Sequence, residues 1–183
     1  LKTINTQYLV GDRDPNMSKI IKPHGSNELK PLLVPEFKRA TELKRAEKLK
    51  RVPMSSREVS DVLMMAMGAY TPIDGFMNEQ DWRGSCTSMT LSSGTFWPIP
   101  ITLSTQTRLA ETINEFEEVA LADGESGQIM AIMQVTSKYS PDKITECENV
   151  FRTSDLAHPG VEKVMSQGNV ALCETGSAAE FAA

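Results

Sequence analysis

Residues 89–104 read MTLSSGTFWPIPITLS, two β-rich runs on either side of Ser92-Ser93-Gly94, and that punctuation predicts a hairpin. In the second run, TFWPIPITLS (95–104), Pro98 and Pro100 stand two apart, so both missing N–H groups fall on one edge of a strand. A central strand would lose ladder bonds at both prolines. The run is therefore expected to be an edge strand or a bulged one, its prolines protecting that edge from pairing with other chains. Phe96, Trp97, Ile99 and Ile101 should divide between core and surface by the two-residue period of a strand. Trp97 reads as a packing or interface anchor rather than a ligand contact.

Working outward, EEVALADGESGQIMAIMQVTSKY (117–139) predicts a second hairpin, with Val119 and Leu121 alternating before the turn and Ile129, Ala131, Met133 and Val135 after it. SPDKITECENVF (140–151) predicts a short helix capped by Ser140 with Pro141 in its first turn. HPGVEKVMSQG (158–168) predicts another, ended by Gly168 and followed by the strand NVALC.

Toward the amino terminus, TPIDGFM (71–77) suits a tight turn that lays Phe76 on the core, and a short helical piece begins at Asp81 and Trp82. Ser55 with Glu58 three residues on makes a capping box, and Val59, Val62, Leu63, Ala66 and Met67 continue at helical spacing until Gly68. Met64, Met65 and Met67 read as fillers of core gaps rather than a soft-metal site. Residues 36–51 predict a surface helix with Phe37, Ala40, Leu43, Ala46 or Glu47, and Leu49 near one face. Its Lys and Arg residues are interleaved with Glu36, Glu42 and Glu47, a mixture that solvates a helix. Residues 22–35, KPHGSNELKPLLVP, read as loop and short strand because prolines push the residues before them out of α geometry. The fold class is α+β, built around antiparallel strands.

Composition bounds the function. A chain of 183 residues, 40% hydrophobic and 23% charged, fits one globular domain. A net charge of -5 argues against a protein whose main work is holding nucleic acid by counterion release. The longest mainly apolar uncharged run, VLMMAMGAYTPI, is too short to span a bilayer, so no membrane partner is expected and the chain reads as cytoplasmic. Cys86, Cys147 and Cys173 lie far apart without a C-x-x-C pair and read as structural thiols. Neither His24 nor His158 has metal ligands at the right spacing, so no metal site is expected. Asp155, three residues before His158, could orient it, but capping or local hydrogen bonding is the favoured reading of both. Arg57, Arg83 and Arg152 read as surface or structural cations. Walker, G-x-G-x-x-G, G-x-S-x-G and H-E-x-x-H motifs are absent from the sequence.

Four segments, KPHGSNELKPLLVP, SSREVSDVLMMAMGAYTPIDGFMNEQDW, MTLSSGTFWPIPITL and VFRTSDLAHPGVEKVMSQGNVAL, stand in the order and at the spacing of the amino-terminal region of ATP sulfurylases, the sulfate adenylyltransferases, and the chain resembles that family over roughly Met17 to Leu172. The resemblance implies a PUA-like fold, a mixed and mostly antiparallel β-barrel with flanking helices. It also implies an enzyme that joins ATP and sulfate to give adenosine phosphosulfate and pyrophosphate. The family's Q-x-R-N-P-x-H-x-x-H and G-R-D-H segments do not occur in this sequence. No catalytic or cofactor-binding residue is therefore carried over. Mg-ATP is expected for a full-length parent enzyme and no cofactor for this chain.

The resemblance thus implies a non-catalytic domain that supports fold and assembly of the parent, partnered by the catalytic domain or by subunits of a homo-oligomer. The alternative is a stand-alone PUA-like module for RNA or another ligand. Residues 1–16 are expected to be an upstream extension or tag, because Met17 opens the sequence like a natural start. Residues 17–172 form the expected domain, and 173–183 a tail or truncated linker.

Overall fold

The computed structural model describes residues 21–174 and the backbone of a two-residue strand at 180–181, so the expectations for residues 1–16 and for most of the tail lie outside the described residues. The elements are helix α1 (Glu36–Ala46), strand β1 (Lys50–Met54), α2 (Ser56–Ala66), α3 (Glu79–Ser88), β2 (Leu103–Thr105), α4 (Thr107–Ala110), β3 (Glu117–Asp123), β4 (Ile129–Val135), β5 (Ser137–Tyr139), α5 (Lys143–Val150), α6 (Pro159–Ser166), β6 (Val170–Cys173) and β7 (Glu180–Phe181).

The strands form a four-stranded sheet, β1-β3-β4-β7, and a three-stranded sheet, β2-β6-β5. Among the described residues they make two separate ladders, and the closed barrel implied by the resemblance is not seen as one continuous sheet. All pairings are antiparallel except β1 with β3, which places Val52 opposite Leu121 in parallel register.

The second expected hairpin forms as β3 and β4, with a bulge between Leu121 and Ala122. Both faces of this sheet are covered. Val119, Leu121, Ala131, Met133 and Val135 face the main core with Val52, Met54, Val62, Met65 and Leu103, while Ala120, Ile129 and Ile132 pack under Ala46 of α1. β3 therefore reads as a nearly continuous buried run rather than an alternating one.

The expected helix over 36–51 stops at Ala46, and its last residues become the edge strand β1. Pro53 is tolerated there because, among the described residues, β1 has a neighbour on one side only. Phe37, expected on the inner face of α1, is 82% exposed. In α2 the capping box is present, with Ser55 accepting from the Glu58 amide and the Glu58 carboxylate accepting from the Ser55 amide at 2.8 Å. The inner face carries Val62, Met65 and Ala66, whereas Leu63 and Met67 point outward, Met67 being 59% exposed. Asn78 caps α3, which begins two residues before the expected Asp81. Asp142, not Ser140, caps α5, accepting from the Ile144 and Thr145 amides at 3.1 Å. An ionised carboxylate is the stronger acceptor. The expected strand NVALC forms as β6, whose last residue, Cys173, pairs opposite Ser137.

The opening stretch makes a short hairpin, but not a strand pair. Thr90 and Phe96 bridge, the Leu91 amide donates to the Thr95 carbonyl at 2.9 Å, and the Trp97 amide donates to the Met89 carbonyl at 2.7 Å. From Pro98 to Thr102 the chain leaves the ladder. The Ile101 carbonyl accepts from the Met77 amide at 2.9 Å, and pairing resumes only at Leu103. Two prolines within three residues remove alternate donors, so among the described residues this segment finds no sheet partner, and the expected edge strand here is corrected to a connector with a bend at Ile99.

Candidate functional site

Two clefts bear on function, one polar and one apolar. The polar cleft, ≈ 330 Å³, lies between the amino end of α2, the β2–α4 turn and the carboxyl end of α6. Arg57 and Lys163 are its cations, and Ser55, Ser104, Gln106 and Gln167 add polar groups. Glu58, 2% exposed, anchors this wall: its carboxylate accepts from the hydroxyl of Ser55 at 2.6 Å and from the amide and hydroxyl of Ser104 at 2.7 and 2.9 Å. One buried carboxylate thereby ties the start of α2 to β2.

Arg57 is equally committed. It donates to Asp61 Oδ2 at 3.1 Å and to the Thr102 carbonyl at 3.0 Å, and the Gln167 side-chain oxygen, with the amide so oriented, accepts from Arg57 Nε at 3.3 Å. Its charge sits beside Asp61 and within 4.0 Å of Glu58. The structural reading of Arg57 therefore holds, and the guanidinium joins three elements instead of waiting for an anion. Arg83 pairs with Glu79 at 2.8 Å across an exposed helical turn, and Arg152 stands at φ 61° after α5; neither borders this cleft.

The apolar face, ≈ 390 Å³, is built on the opening stretch. Phe96 and Ile99 are 56% and 57% exposed, Trp97 is half-buried, and His24 and Tyr70 close the sides. His24 Nε2 bonds the Phe96 carbonyl at 2.7 Å, which assigns the proton to Nε2 because a carbonyl can only accept. Tyr70 meets Trp97 edge-on at 5.7 Å, and its hydroxyl donates to Asp61 Oδ1 at 3.1 Å. Burial pushes the Tyr70 hydroxyl up to about 12, with the Asp61 charge adding to it, so Tyr70 remains a donor at neutral pH. Burial likewise raises the Asp61 carboxyl, against the pull of Arg57.

A chain of contacts thus runs from Arg57 through Asp61 and Tyr70 to Trp97. Chemically the face offers apolar contact and a fixed imidazole whose Nε2 is already used, an arrangement suited to packing rather than to acid–base work. Trp97 was legible in the sequence. His24 and Tyr70 were not joined to it, because they lie 73 and 27 positions away and only the Pro23-His24-Gly25 turn and the Gly68–Pro72 turn mark their segments.

His158 caps α6, its Nδ1 accepting from the Gly160 amide at 3.2 Å, while the Asp155 side chain accepts from the Ala157 amide at 2.9 Å. Asp155 and His158 meet through the backbone, not through their side chains. All three cysteines are free and buried, and burial raises the thiols of Cys86 and Cys147. Among the described residues no cluster of three or more His, Cys, Asp or Glu could hold a metal ion, and no helix is long and apolar enough to cross a membrane.

A family model described as PUA-like domain matches residues 21–175. The chain belongs to the PUA-like domain family. Sulfate adenylyltransferases contain close relatives of this PUA-like domain. Those of Thiobacillus denitrificans and Syntrophobacter fumaroxidans are 49% and 52% identical over 156 and 158 residues, 85% of this chain in each case. The chain spans 38% of the length of these relatives. A solved structure titled hexameric APS kinase from Thiobacillus denitrificans superposes with a TM-score of 0.64 at 26% identity, over 90% of this chain and 27% of that one.

Proposed function

We propose that this PUA-like domain is the non-catalytic amino-terminal part of a sulfate adenylyltransferase, an enzyme of sulfate assimilation that joins ATP and sulfate in the cytoplasm, and that it supports the fold and assembly of that enzyme. The observation that carries this reading is a near-half identity along 85% of the chain that accounts for only 38% of each relative. Attack of sulfate on the α-phosphate of ATP brings two polyanions together and needs converging cations or N–H donors. The polar cleft holds Arg57 and Lys163, and Arg57 is already bound to Asp61 and Thr102. Mg-ATP on this reading belongs to the part of the enzyme represented by the other three-fifths of the relatives, and the hexameric neighbour supports an oligomeric parent.

Isothermal titration of this chain with Mg-ATP tests the assignment. It predicts no saturable heat, and saturable binding in the micromolar range would contradict it.

A stand-alone RNA-binding role draws support from the exposed Lys38, Arg39 and Lys44 of α1. Against it, Arg45 is paired with Glu42 and Glu118, and Lys50 with Glu117. With a net charge of -5, filter binding of single-stranded RNA at physiological salt should be weak and lost as salt rises. Submicromolar affinity there would favour the stand-alone module.

A further inference from the structure

We infer that the outer edge of β4 is a self-association edge that β7 keeps covered. Uncovered, it pairs with the same edge of a second copy of this chain and joins two sheets into one. The inference goes beyond the proposed assignment and does not depend on it.

The two outer strands of the four-stranded core sheet differ in how they discourage a partner. β1 carries its own protection in Lys50, Arg51 and Pro53, since cations and a missing N–H turn away an incoming strand. β4 carries no such residue. Residues 128–135 read QIMAIMQV, eight positions without a charge, a glycine or a proline, the composition of a strand that pairs readily with copies of itself. Its faces are covered by the main core on one side and by Ala46 of α1 on the other, so the backbone edge is what a partner can reach.

Hydrogen bonds locate that edge residue by residue. The Val135 carbonyl accepts from the Phe116 amide on the β3 side. The Gln134 and Thr136 amides donate the other way, to Glu174 Oε1 at 3.3 Å and to the Cys173 carbonyl at 2.9 Å. Alternation along the strand turns the backbone groups of Ile132 to the same outer side, where they face Glu180 of β7. Three different covers thus follow one another: the backbone of β6, a carboxylate, and a separate strand. Glu174 is 4% exposed, and a charge pointing inward at a strand edge stops further pairing there. The stretch left to β7 is therefore centred on Ile132, and β7 is only two residues long. So short a strand opens at low cost.

A second copy fits the uncovered edge. An antiparallel pairing on a two-fold axis at Ile132 lets the two Ile132 residues exchange both backbone bonds, and neither strand brings a charge to the other.

The test compares the intact chain with two uncovered forms, one lacking residues 175–183 and one carrying Glu180→Pro, which removes the β7 donor opposite Ile132. Glu174 is kept in both. Circular dichroism checks the fold of each, and Glu180→Pro retains the full length, so the comparison stands even where the shorter chain fails to fold. Sedimentation velocity over a range of concentration reads the association, and amide hydrogen exchange at Ile132 reads its place.

The inference predicts an intact chain that stays monomeric and uncovered forms that dimerise as concentration rises, with exchange at Ile132 slowed at least about tenfold in the dimer. Uncovered forms that fold and remain monomeric throughout would overturn it. A dimer in which exchange at Ile132 does not change with concentration would place the contact on another surface and overturn the β4 edge. The same Ile132-protected dimer in the intact chain would overturn the covering role of β7.

Discussion

Glu146 is a carboxyl buried between α3 and α5, with the Trp82 indole N–H donating to it at 2.7 Å. Burial raises its pKa above the usual 4.5, against the opposing pull of the Trp82 bond and of the Arg57 and Lys143 charges. A carboxyl that holds its proton more tightly in the folded state stabilises most below its unfolded pKa and loses that contribution as pH rises through the folded value. Glu146→Gln keeps an acceptor for Trp82 and removes the titration. The difference in urea midpoint between variant and wild type should therefore grow in the variant's favour as pH rises above 4.5, and parallel pH curves would contradict the buried-carboxyl account. Asp123 and Asp142 have depressed values, set first by the Glu125 amide and the Thr145 hydroxyl respectively, and they contribute in the opposite sense. Both proteins share them, so they cancel in the difference. Ser55 gives a second test, because it caps α2 and also donates to Glu58. Ser55→Ala should cost about 1–2 kcal/mol in urea unfolding. The capping box was legible from Ser55 and Glu58 alone, as a local, three-residue pattern. The bonds from Ser104 to the same carboxylate were not, because they join positions 46 apart.

Among the elements, those set by neighbouring residues were readable and those set by distant ones were not. The β3–β4 hairpin, the Gly68 stop of α2 and the helix beginning at His158-Pro159 follow from local turn and cap chemistry. β1 was hidden because Lys50–Met54 continues a helical pattern of charges and finds its partner, β3, in parallel register far along the chain. The face of α2 turned toward Met65 because the core lies on that side, a fact that apolar spacing alone leaves open. The two-residue period misread Phe96–Ile101 since that rule belongs to a laddered strand, and here Pro98 and Pro100 remove the ladder. Ile101 is nonetheless the inward member. Ile101→Ala should destabilise by about 2–5 kcal/mol in urea unfolding, whereas Ile99→Ala should stay within about 0.5 kcal/mol. Equal costs would place the two side chains on the same side of the boundary. Gly168 offers a sharper packing test: a Cβ there would sit 2.1 Å from the Thr105 carbonyl oxygen. Gly168→Ala must push α6 and β6 away from β2, and it should lower the melting temperature more than any of the above.

At the scale of the whole molecule, the fold class and the family were in the sequence, carried by segments strung along most of the chain. The division into two sheets was not, because sheet closure depends on which edges meet rather than on the pattern within any strand. The candidate site was half legible: Trp97 was marked as an anchor, but its framing by His24 and Tyr70 exists only in three dimensions. The central claim is that this domain supports an ATP sulfurylase without performing its chemistry. The direct measurement is pyrophosphate release from purified chain supplied with Mg-ATP and sulfate. The account predicts release indistinguishable from the protein-free background at every sulfate concentration, and sustained release that rises with sulfate would contradict it.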